Sequence, residues 1–102
     1  MKKIINNKLY NTETATKIDS YSNRLGYNDF RHLSETLYQK KNGEFFLVGE
    51  GGPMTEYCTY YDDNSWGGGT DIIPLTYNKA KEWAQKHMDV DDYIFIFGEV
   101  EE

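Results

Sequence analysis

Between Gly43 and Gly49 the chain runs Glu44-Phe45-Phe46-Leu47-Val48, four apolar residues without a polar interruption. In a strand, successive side chains point to opposite faces, so this one is apolar on both. Such a strand belongs inside a sheet that is covered on each side. The arm before it, Glu35 to Lys41, places Leu37 among polar neighbours. Asn42-Gly43 between the arms suits a type I′ turn, whose two central residues both need positive φ.

Other strands follow from shorter signals. Ile4-Ile5, Asn6-Asn7 and Leu9-Tyr10 read as strand, two-residue turn and strand, because Asn tolerates positive φ. Ala15 to Tyr21 alternates weakly and reads as a third strand, and 23–28, with Gly26, as a loop. Beyond the glycines at 49, 51 and 52, Met54 to Tyr61 reads as a strand with Tyr57, Thr59 and Tyr61 on one side, and Asp62 to Asp71 as a polar loop. Thr76 is an N-cap candidate, and Ala80, Trp83, Ala84 and His87 recur at i, i+3, i+4 and i+7. This predicts a helix over about 76–88 anchored by Trp83, ended by 89–92. Tyr93 to Phe97 is aromatic and β-branched and reads as a buried strand. The fold class expected is α+β in one domain, 1–102: a predominantly antiparallel sheet with one main amphipathic helix packed on it.

Aromatic residues make up 16% of the chain, so a few large rings supply much of the core. Cys58 is alone, which excludes an internal disulfide and points to a reducing compartment. No leader and no run near the roughly 20 apolar residues of a membrane span is expected, so the expectation is cytoplasmic, with no membrane partner.

Charge is segregated. Residues 1–41 are net +4, 42–78 net −6, 79–86 net +2 and 87–102 net −6, which add to −6. Phosphates are repelled by the two acidic blocks, so nucleic acid is not expected as a direct ligand there, whereas a basic protein surface is attracted.

No catalytic or metal motif emerges, and no cofactor is expected. Cys58, His32 and His87 have no spacing that builds a nucleophile and its base. One Cys and two distant His make no zinc cluster. The loop from Asp62 has Gly67 at position six but Ile73 at position twelve, where a calcium loop needs Glu. The glycine clusters 49–52 and 67–69 lack the Lys-Ser/Thr of a phosphate loop and read as sharp turns, or as places of close backbone approach to a partner. Clustered acids with a metal would give a small nuclease or hydrolase as the alternative. The stronger pattern is rings among carboxylates, which is the makeup of a binding surface. The partner-binding residues expected are Glu50, Glu56, Tyr57, Tyr60, Tyr61, Asp62, Asp63, Trp66 and Asp71. A homodimer through the Tyr-rich face, as an interaction module without a defence role, is a third reading.

The runs Lys8-Leu9-Tyr10-Asn11-Thr12-Glu13-Thr14-Ala15, Glu35-Thr36-Leu37-Tyr38, Gly43 with Phe45-Phe46-Leu47, Gly49-Glu50-Gly51-Gly52 and Asp71-Ile72-Ile73-Pro74-Leu75 together resemble small proteins encoded on plasmids, phages and conjugative elements of Firmicutes. Some of these are anti-CRISPR inhibitors of type II systems. The resemblance implies binding to a Cas9-type nuclease or its guide-RNA complex and interference with guide-RNA loading or DNA engagement; the segregated charge itself points to binding a basic partner rather than to catalysis. It assigns no binding residues.

Overall fold

The doubly apolar arm lies where its side chains require. In the computed structural model, which describes residues 1–26, 28–62 and 65–101 with the side chains of 59–66 left out, it is β5 (Phe45–Gly51). Its neighbours are β4 (Leu33–Gln39) and β8 (Gly69–Leu75), and β3 (Thr16–Ser22) flanks β4. All pairings are antiparallel, in the order β3-β4-β5-β8. Pro74 sits on β8, at the edge of the sheet, where a missing donor is tolerated.

Both faces of β5 are covered. Phe45 and Leu47 join Leu37 beneath the helix α1 (Tyr77–His87), against Ala80, Trp83 and Ala84. Phe46 points the other way and packs with Ile72 and Tyr10. Tyr10 belongs to a two-stranded hairpin, β1 (Lys2–Ile5) and β2 (Lys8–Asn11), which covers the second face. Tyr10 meets Phe46 edge-on at 5.5 Å, and Lys40 Nζ lies 3.7 Å over the Tyr10 ring. Phe46 is wholly buried, so truncation to alanine costs about 3–5 kcal/mol.

The first turn is as expected: Asn6 and Asn7 have φ of 50° and 64°. The second differs. Gly43 N–H donates to Lys40 O at 2.9 Å, and of residues 40–43 only Gly43 has positive φ. The loop therefore has three residues, Lys41 to Gly43, and Asn42 keeps an ordinary φ while its side-chain oxygen accepts from Glu44 N–H.

Helix α1 matches its expected face and cap. Thr76 Oγ1 accepts from Lys79 N–H at 3.2 Å, and Lys86 lies in the last turn, where positive charge opposes the helix dipole. The fold is thus α+β, with a correction at the C-terminal side. Tyr93 to Phe97 is not a strand but part of a second helix, α2 (Val90–Phe97). Asp91 and Asp92 favour its first turn electrostatically, and Gly98 closes it at φ 92°, donating to Ile94 O. Tyr93, Ile94 and Phe97 turn inward at i, i+1 and i+4, and Phe97 stacks on Phe45 at 5.4 Å. Packing on an occupied sheet face overrides the β propensity of the run.

The segment from Met54 is also corrected. Residues 53–58 form turns closed by Thr55 N–H to Gly52 O and Cys58 N–H to Thr55 O, and Met54 N–H ties them to Phe30 O. Only β6 (Thr59–Asp62) is extended, and it pairs with β7 (Ser65–Gly67). The expected loop 62–71 therefore contains a strand, β7, and the start of β8.

A candidate protein-binding surface

Glu35, on β4, is the one buried charged residue among the described residues, with 8% of its surface accessible. Leu37, two residues on, points to the helix-covered face, so Glu35 does too. Its Oε1 accepts from Trp83 Nε1 at 3.1 Å and its Oε2 from the Tyr57 hydroxyl. Burial, then the Glu35 carboxyl, pushes the Tyr57 phenol well above its ordinary range, so it keeps its proton as the donor. Gly49 is the cross-strand partner of Glu35, and a Cβ there would overlap the Tyr57 ring. His87 lies beside this cluster, 3.9 Å from the Tyr21 ring and 5.0 Å from that of Trp83 by centroids. Burial, mainly, holds the His87 imidazole below its usual pKa of 6.5, aided by Lys86 and opposed by Glu35.

The expected binding residues separate. Tyr57 is buried at 5% and serves the core, not a surface. Its place at the end of a turn, rather than in an alternating strand, turns the ring inward. Asp71 is exposed but already paired: Lys3 Nζ lies 2.8 Å away and holds its carboxyl below the usual range. Glu50 is half-buried on β5 opposite Thr70, in a cleft with His32 and Gly68, and Glu56 is exposed on the turn. Tyr60, Tyr61, Asp62 and Trp66 lie on the β6–β7 hairpin, but their side chains are outside the described part, as is Asp63 altogether. The glycines also differ from expectation. Gly49, Gly51, Gly52 and Gly68 lack positive φ, and each admits another part of the same chain: the Tyr57 ring, Thr55, Phe30 O and Gly51 O.

A surface not expected from sequence lies on α2. Phe95 is 86% exposed and Val90 68%. Asp91 and Asp92 precede Phe95 by one helical turn, and Asp89, Glu99 and Glu101 flank the helix, all exposed. No Lys or Arg occurs from 87 to 102. Beside it runs a mostly apolar groove lined by Ala84, Gln85, Met88, Val90, Tyr93, Ile94 and Val100. Reading 93–97 as a strand hid this surface, because alternation assigns Phe95 to the same side as Tyr93 and Phe97. The helical period leaves Phe95 out of the inward set.

Among the described residues no group of three or more His, Cys, Asp or Glu is placed to hold a metal ion, and no helix is long and apolar enough to cross a membrane. No protein-family model, curated protein or solved structure matches the chain.

Proposed function

We propose that this chain is a non-catalytic inhibitor, acting in the bacterial cytoplasm, that docks on a basic nucleic-acid-processing protein and blocks guide-RNA loading or DNA engagement. The observation that carries this reading is Phe95, a large ring left in water one helical turn from Asp91 and Asp92. Exposed aromatic anchors in a charged rim suit a protein partner of opposite charge, with the ring giving affinity and the acids steering the encounter. Arg and Lys side chains can also stack on the ring. Phosphates are repelled by the same acids, so the partner contact is protein. A Cas9-type nuclease fits, since it holds its heteroduplex in a positively charged channel, and the sequence resemblance to type II anti-CRISPR proteins points the same way.

The test is DNA cleavage by a Cas9-type nuclease with the protein added before or after guide RNA, alongside association measured at low and high salt. Inhibition that depends on the order of addition, with binding that weakens as salt rises, is expected. No association at low salt with either the free or the guide-loaded nuclease overturns the reading.

A further inference from the structure

The hairpin on the other face of the sheet carries the complement of α2. Ile4 and Leu9 are cross-strand partners, 71% and 54% exposed, so they form an apolar pair on the side of the hairpin away from Tyr10. Lys2 shares their side of the hairpin, Lys3 and Lys8 project from its other side opposite Tyr10 and Ile5, and Lys40, paired with Glu44, and Lys41 line the cleft beside Leu9. Lys3 and Lys8 pair with Asp71 and Glu44, yet both side chains stay more than half exposed. Residues 1–17 hold four Lys and one Glu, net +3, whereas 87–102 are net −6. One molecule thus presents an exposed apolar pair near lysines on one face and Phe95, one helical turn from Asp91 and Asp92, on the opposite face.

We infer that the hairpin of one copy docks on α2 of a second copy, in a head-to-tail contact. Three features favour a second copy of this chain over a like-with-like dimer. Pairing α2 with α2 sets Asp91, Asp92 and Glu99 against themselves. Pairing hairpin with hairpin opposes lysines. The two patches lie on opposite faces of one sheet, so a molecule cannot satisfy its own. A contact between two different patches leaves one of each free, and it grows into a ring or an open chain. A partner seated on α2 caps that growth. This inference goes beyond nuclease binding and does not depend on it.

The test is sedimentation velocity on the purified chain alone, from micromolar to millimolar. At about 0.1 M salt the mean mass is expected to rise past that of a dimer with concentration, and to fall back at about 1 M, where charges are screened beyond roughly 3 Å. Phe95→Ser and the double variant Ile4→Ser/Leu9→Ser each remove one patch at an exposed position, and each is expected to weaken association about tenfold. Mixing the two variants restores one contact per pair and stops at a dimer. A monomer at millimolar concentration overturns the inference, and so does a mixture no larger than either variant alone. The nuclease is absent from this experiment, so its outcome and that of the inhibition assay are independent.

Discussion

Tyr57 reaches Glu35 across the space that Gly49 leaves open in the sheet. The three residues act as one lock, which holds the turns 53–58 against the strands. Gly49→Ala forces the ring out and is expected to cost about 1–3 kcal/mol or more, since the backbone of a central strand cannot yield. Tyr57→Phe keeps the shape but removes one donor from a buried acceptor, a loss of about 1–3 kcal/mol. Glu35→Ala strands donors on both Tyr57 and Trp83, and urea denaturation should rank it lowest.

Acid is expected to destabilise the fold in two stages. His87 has a lowered folded-state value, so the unfolded chain binds more protons as pH falls through 6.5, and stability declines below that pH. Asp71 is also lowered, by Lys3, so its contribution is present above the ordinary value of 3.8 and is lost on further acidification. Unfolding midpoints measured at pH 7.5, 5.5 and 3.5 should fall throughout (about one unfolded-state pKa separates each interval). His87→Phe should flatten the first interval and leave the second.

The turn at Asn6-Asn7 needs left-handed backbone at both positions. Asn7→Ala is expected to cost about 1–2 kcal/mol, and Asn7→Gly to be neutral or slightly stabilising. Because the hairpin supplies Tyr10 to the core around Phe46, the loss should appear in global stability and not only in amide exchange of residues 2–11.

Phe95→Ser, at an 86% exposed position, should change stability by less than about 0.5 kcal/mol. Affinity for the proposed nuclease partner is expected to fall about tenfold or more. Asp91→Asn/Asp92→Asn should reduce the salt dependence of binding. Glu50→Gln/Glu56→Gln should do so less, because Glu50 is half-buried and Glu56 stands apart on its turn. The reverse ranking places the contact on the 50–71 segment instead.

The core was readable wherever periodicity and composition agreed. Phe45 to Val48 announced a covered central strand, and Ala80, Trp83 and Ala84 announced the helix that covers it. The second helix was not readable from propensity, since Tyr93-Ile94-Phe95-Ile96-Phe97 is a strand-like composition. Three aspartates at its start were the signal, Asp89 at the cap and Asp91 and Asp92 in the first turn, as acids favour a helix N-terminus. The sequence pointed to an acidic, aromatic surface between residues 50 and 71, but two of its residues are otherwise engaged: Tyr57 in the core and Asp71 with Lys3. Tyr57 looked like an exposed ring because nothing local tells that Gly49, eight residues earlier, makes room for it. Lys3 and Asp71 stand 68 residues apart, so their pairing depends on a register that only the assembled sheet defines.

Glu35 joins parts of the chain that are distant in sequence: Tyr57 lies 22 residues away and Trp83 48. The turn segment and the first helix therefore share one anchor, and neither can detach without leaving the other's acceptor half-served in a dry interior. Their amides should exchange with solvent as a single cooperative unit, at a free energy near that of global unfolding. Residues 53–58 look like a surface connection, but by this coupling they are as deeply committed to the native state as the helix that crosses the sheet.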